Sequence, residues 1–251
     1  MDVTLLGTGS PMAPERNATG LLVTAPGCEP LLIDTCGGFE LPRQLARVGQ
    51  PINQLCSVIV THRHMDHAGG MPALFIASIP LRIYALPDTH AGISELMNAC
   101  FPEWPIHPDV ERIHIAADEK REISGFTVEF FATEHRVPTV AVRVQHGGRT
   151  LAFSADGIPN DGMIRCARDA DLFLCDALCA ARDGAEWATR ARRLMHPVAR
   201  EAAEIAVAAK ARSLALIHLA RYANPDNLLA EAREVFRGPV IVPDDGMRLS
   251  V

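Results

Sequence analysis

Short apolar runs that stop abruptly at polar residues recur along most of the 251-residue chain, and their lengths suit strands better than helices. Strands are predicted at Val3 to Leu6, Gly20 to Thr24, Pro30 to Ile33, Ser57 to Val60 and Leu81 to Tyr84. A second series follows at Phe126 to Ala132, Thr139 to Val144, Thr150 to Ser154, Leu172 to Cys175, Leu214 to Ile217 and Val240 to Val242. Helical patterns fall at Glu40 to Val48, from after His67 through Leu74 to Ala77, and at Thr89 to Cys100, Val198 to Ala209 and Asn227 to Val235. Ala180 to Arg193 is the least regular stretch and reads as a surface loop or short helix. Strands that dominate the middle, with helices between them, predict a mixed α/β fold with helices covering sheets.

Composition narrows this picture. A hydrophobic share of 48% with 22% charged residues is ordinary for a globular protein, and the length suits one domain over residues 1–251. No apolar stretch has the length of a membrane helix, and MDVTLLGTGSP lacks the basic and apolar regions of a signal peptide, so no membrane is expected. The seven cysteines are odd in number, scattered and free of CxxC spacing, which predicts reduced side chains in a cytoplasmic protein. A net charge of -6 disfavours general attraction to nucleic acid. The one dense basic block, Arg190 to Arg193 with Arg200 beyond, reads as a solvated helix face.

The chemistry concentrates in VTHRHMDHAGG, Val60 to Gly70. His62 and His64 leave the strand that ends at Val60 two residues apart and on one side, while Asp66 and His67 fall at the turn into the next helix. Three more metal-compatible residues stand where apolar runs end: His135 after VEFFATE, Asp156 after TLAFSA and His218 after SLALI. Imidazole with carboxylate suits Zn²⁺, with Mn²⁺ or Fe²⁺ as alternatives. A carboxylate can give one oxygen to each of two ions, which makes Asp156 the natural bridge. Two such ions would lower the pKa of a bound water, so the nucleophile would be hydroxide.

THRHMDH resembles the HxHxDH signature of the metallo-β-lactamase superfamily, with His135, Asp156 and His218 matching its later ligand motifs in order. The resemblance implies an αββα four-layer sandwich with metals at one edge. It also implies that His62, His64 and His135 hold one ion, that Asp66, His67 and His218 hold the other, and that Asp156 bridges. Within the superfamily, LLGTGSPMAPERNATG, SADG and LALIHLARYANPDNLLAEAREVF followed by DDGM look like the ribonuclease Z branch, the tRNA 3′ processing endonucleases. His196 matches a histidine that helps protonate the leaving group there, although Pro197-Val198 stands in place of the branch's Ser-Thr. Asp66 and His196 are thus the expected catalytic residues.

One departure bears on substrate. Only 20 residues, containing the hairpin-sized VQHGGRT, separate His135 from Asp156, where tRNA-processing members usually insert a tRNA-gripping arm. The main expectation is therefore a dinuclear metal-dependent hydrolase of a small molecule, with a phosphodiester as one candidate bond. A tRNA 3′ endoribonuclease is the alternative, and a non-catalytic metabolite-binding or sensing module is a third. Among partners, tRNA ranks below a small-molecule substrate, and a homodimer is compatible with the chain. GTGSP and DTCGG are expected to shape loops beside the metals. Cys36 reads as a buried small residue with a place facing the site as the alternative, and Phe101, Trp104 and Pro105 as an apolar substrate wall or a loop packed on itself. His90, His107, His114 and His146 read as structural or exposed.

Overall fold

In β1 (Asp2–Gly7), Val3 and Leu5 face one apolar layer and Leu6 another, and this alternation is the key to the architecture. The computed structural model describes residues 1–251. The same division recurs in β2 (Gly20–Thr24), β3 (Leu31–Ile33) and β4 (Ser57–Val60), where Leu21, Leu31 and Ile59 share the layer of Val3 while Leu22, Leu32 and Val58 share that of Leu6. Successive strand side chains point to opposite faces, so a sheet covered on both faces needs an unbroken apolar run. With β5 (Leu81–Ala85) and β6 (Val110–His114) these strands form the first sheet. The second sheet contains β7 (Lys120–Ile123), β8 (Phe126–Thr133), β9 (Thr139–His146), β10 (Arg149–Phe153), β11 (Leu172–Asp176), β12 (Leu214–Ile217) and β13 (Val240–Ile241). The last strand, β14 (Arg248–Ser250), returns to pair antiparallel with β1.

Three apolar layers hold four structural ones. Val3, Leu5, Leu21, Phe126, Phe130 and Val142 belong to the layer between the sheets. Outside the first sheet lie α1 (Glu40–Arg47), α2 (Met65–Ala68), α3 (Met71–Ile76) and α4 (Pro87–Cys100), which bury Leu41, Met71, Phe75 and Met97 against it. Outside the second lie α5 (Asp161–Ala167), α7 (Ala199–Ala208) and α8 (Pro225–Val235), whose Met163, Ala202, Ile205 and Leu228 pack on Phe173 and Leu216. The helix α6 (Ala185–Leu194) sits apart from that layer, in a small cluster with Leu178, Val198 and Ala220. The result is an αββα sandwich, as expected. No helix is long and apolar enough to cross a membrane.

Several elements refine or depart from the expectations drawn from sequence. Ala180 to Arg193, expected as a surface loop or short helix, takes the helical alternative as α6, which starts after Gly184 at φ 145° and stops at Met195 in a left-handed conformation. The edge strands β6 and β7 and the short β14 and α5 lack a readable apolar run. VERIH and KREI are largely solvent-facing, and charged, irregular edges of this kind discourage pairing with other chains. Asn160 caps α5, its side chain accepting from the Met163 amide. The hairpin after β9 turns tightly through Gly147 and Gly148, both at positive φ.

Candidate metal centre

The strands β4, β8, β10, β11 and β12 end at one rim of the sandwich, and a polar residue follows or closes each. His62 and His64 leave β4, His135 follows β8, Asp156 follows β10, Asp176 closes β11 and His218 follows β12. Ala155 and His218 have positive φ, at 50° and 61°, and so does Asp34 at 58°. Such backbone costs roughly 1–3 kcal/mol per non-glycine residue and tends to persist at functional sites, where packing over-determines it. Gly70 lets α2 and α3 close on this rim, because a Cβ there would lie 1.9 Å from the Thr35 carbonyl oxygen.

These loops assemble two ligand groups around Asp156. His62, His64, His135 and Asp156 offer atoms that lie within 4.8 Å of one another, as do those of Asp66, His67, Asp156 and His218. In the first group His64 Nδ1 is 3.1 Å from His62 Nε2 and 3.2 Å from His135 Nε2. In the second, His67 Nε2 is 3.3 Å from Asp156 Oδ1, and His218 Nε2 is 3.5 Å from Asp156 Oδ2. Asp156 thus turns one oxygen to His67 and the other to His62, His135 and His218.

The donor chemistry fits metal. Four of the five histidines turn Nε2 inward because an outer partner occupies Nδ1. That of His62 meets Thr61 Oγ1, that of His67 donates to Asp34 Oδ2 at 2.7 Å, that of His218 meets Thr19 Oγ1, and that of His135 approaches the Met195 carbonyl. Such partners fix the tautomer and orient a ligand imidazole. Burial drives the pKa of His62 well below its ordinary value and brings His135 down to about 4, leaving neutral rings with lone pairs to give. His67 behaves oppositely: burial opposes its charge, but Asp156, Asp34 and Asp66 together raise its pKa well above normal. Its Nε2 is buried without a hydrogen-bond partner. The carboxylates around that nitrogen call for a cation, which a metal would supply in place of a proton.

His196 faces the same rim from the segment between α6 and α7. Its Nδ1 lies 2.6 Å from Asp176 Oδ2, and its ring lies 5.0 Å from that of His218. Burial lowers the His196 pKa, but Asp176 and the carboxylates of Asp156 and Asp66 outweigh it and raise the value to about 9. The Asp176 contact favours the protonated form of the ring. Asp176 and Asp34 are not among the residues singled out from sequence, although both stand at the end of an apolar run, the same signal that picks out Asp156. Asp34 is fully buried and accepts from the Thr61 amide, the Thr61 hydroxyl and His67, so it ties the motif loop to β3.

A cavity of about 400 Å³ opens above these groups, with His64, Asp66, His135, Asp156, His196 and His218 at its floor. Its walls include Ser10 to Met12 of the GTGSP loop. Asp245 holds that loop by accepting from the amides and side chains of Thr8 and Asn17. Cys36 is fully buried beneath the helices of the first sheet and burial pushes its thiol up, so it takes the first of its two expected places. Phe101, Trp104 and Pro105 do not line the cavity. Arg190 is solvent-exposed on α6, as expected, and also lines the cavity. His90 and His114 pack together away from it, consistent with structural roles.

Known proteins share this fold. The sequence profile of the beta-lactamase superfamily domain matches residues 30–219. A ribonuclease Z of Haloferax volcanii is 28% identical over an alignment of 309 residues that covers 100% of this chain and 95% of the relative. The crystal structure of the metallo-beta-lactamase fold protein YhfI from Bacillus subtilis superposes with a TM-score of 0.83 at 28% identity, covering 99% of this chain and 98% of the other. Human tRNase Z, short form, shares the fold at a TM-score of 0.76 and 24% identity, covering 100% and 99% of the two chains. On the profile match, the chain belongs to the beta-lactamase superfamily, as one of its metal-dependent hydrolases.

Proposed function

We propose that the chain forms a single dinuclear hydrolase unit that cleaves a small-molecule phosphodiester in the cytoplasm. The observation that carries this reading is the pair of four-residue ligand groups sharing Asp156 at the floor of a small cavity. His62, His64 and His135 would hold one ion, Asp66, His67 and His218 the other, with Asp156 between them. Zn²⁺ suits the donors best, with Mn²⁺ or Fe²⁺ as alternatives. Two bound ions would supply Lewis acidity toward the substrate and lower the pKa of water. Asp66 sets its Oδ2 between His67 and His218, and in this reading its other oxygen accepts a hydrogen from the incoming water and orients it. His196 holds its proton on the nitrogen opposite Asp176 and delivers it to the leaving oxygen. Asp176 is a positioning residue that keeps the ring aimed and charged. The small cavity and the two-glycine hairpin between His135 and Asp156 favour a small substrate.

Reconstituted protein is expected to hold about two divalent ions per chain by elemental analysis. It should turn over bis(p-nitrophenyl) phosphate faster than aryl esters, aryl sulfates or lactones. Less than one ion per chain, or no turnover of any of these after full loading, would refute the reading.

Full-length similarity to a ribonuclease Z, together with His196, supports a second reading as a tRNA 3′ endonuclease. Incubation with a precursor tRNA carrying a 3′ trailer would then give one cut near the discriminator base. A precursor left intact by metal-loaded protein would remove this alternative.

A further inference from the structure

The upper part of the cavity is chemically unlike its floor. Trp187 of α6 and Tyr222, which follows β12, stack at a centroid distance of 3.9 Å with their planes 18° apart, and both line the cavity. Leu178, Leu194 and Ala220 continue this apolar wall. Three arginines, Arg136, Arg190 and Arg221, share the lining, while its only carboxylates are Asp66 and Asp156 on the floor. Three other arginines have carboxylate partners, Arg192 with Glu201, and Arg182 and Arg200 sharing Glu234. Arg190 and Arg221 have no carboxylate partner, and Arg136 bonds only to the Arg193 carbonyl. Arg190 and Arg221 share the cavity lining with the aromatic pair, Arg190 on α6 three residues after Trp187 and Arg221 directly before Tyr222. A chain of net charge -6 thus gathers unpaired positive charge at one mouth.

We infer that the cavity selects a nucleotide-like phosphate ester, its flat ring against the Trp187–Tyr222 wall and its anionic oxygens on Arg190 and Arg221. The inference rests on the hydrolase reading and names the substrate class for the same site. Guanidinium is a planar donor fork matched to phosphate oxygens, and each charge-assisted bond it makes is stronger than a neutral one. Aromatic side chains stack on any base face, which gives affinity without demanding one base. A cavity of about 400 Å³ falls within the range of pockets that enclose one small ligand.

The test uses full-length, zinc-loaded protein carrying Trp104→Phe, which leaves Trp187 as the only tryptophan. Adenosine 5′-monophosphate should quench its fluorescence saturably and more tightly than adenosine or inorganic phosphate, each of which satisfies only half the subsite. Arg190→Ala with Arg221→Ala should weaken that binding by roughly tenfold or more, the loss expected for a charge-assisted bond. Tyr222→Phe keeps the stack and should preserve binding, whereas Tyr222→Ala should weaken it by about tenfold. Because the pair also anchors α6, circular dichroism of Tyr222→Ala must remain native for that loss to count. Saturable quenching in protein that hydrolyses no ester would uphold the subsite and sink the hydrolase reading. Hydrolysis of bis(p-nitrophenyl) phosphate with no quenching by the nucleotide would do the reverse. Quenching by a precursor tRNA but not by the mononucleotide would overturn the inference and give the arginines to a polynucleotide backbone.

Discussion

Replacing Asp156 by alanine is expected to take metal content from about two ions per chain to one or fewer and to reduce turnover on every substrate by roughly 10³-fold or more. The size follows from what the bridge does in the proposed site: Lewis-acid stabilisation is worth several kcal/mol, and each loss of about 1.4 kcal/mol costs a factor of ten in rate. The location explains why no neighbour can substitute. Asp156 is almost fully buried, and within 4 Å of its oxygens lie nitrogens of His62, His67, His135 and His218. Removing the carboxylate leaves these nitrogens facing one another, with Asp66 as the only anion left in the two ligand groups. Wild-type protein should gain thermal stability on adding Zn²⁺, because a bound ion favours the folded state by mass action, and Asp156→Ala should lose most of that gain. Asp156→Asn preserves shape without charge and separates folding from coordination. Two ions retained by either variant, measured by elemental analysis, would exclude Asp156 as a bridge.

His196→Ala should act differently, leaving metal content unchanged and slowing only reactions that need a proton on the leaving group. General acid catalysis is typically worth roughly 10²- to 10⁴-fold. That loss should appear in full with a poor alkoxide leaving group and nearly vanish with p-nitrophenolate, which departs without protonation. The structure supports the role through the buried Asp176 carboxylate 2.6 Å from His196 Nδ1, which favours the charged ring and orients it at the cavity. Asp176→Asn should therefore give the same leaving-group signature with smaller amplitude, and Asp176→Glu should recover part of it. Equal, small effects of His196→Ala on both leaving groups, with chemistry shown to limit the rate, would reduce the histidine to a binding residue.

The sequence by itself determined most of the strands and the candidate donors. A strand buried on both faces must be apolar along its length, as Leu31 to Ile33 and Leu214 to Ile217 are, so its end is marked by the first polar residue. That boundary makes His135, Asp156 and His218 legible in the chain alone, and the tight HxHxDH spacing does the same for His62 to His67. Asp34 and Asp176 carry the same mark, but a lone acid at a strand end does not name its partner. The bonds to His67 and His196 that give them meaning span 33 and 20 residues. The edge strands β6 and β7 are obscure in sequence because they are largely solvent-facing, so no apolar run survives in VERIH or KREI. Only the tertiary structure decided that Arg136, Trp187, Arg190, Arg221 and Tyr222 meet at one cavity mouth. They come from the segment after β8, from α6 and from the turn after β12, and their proximity is set by how the sheets and α6 pack, which no local pattern encodes.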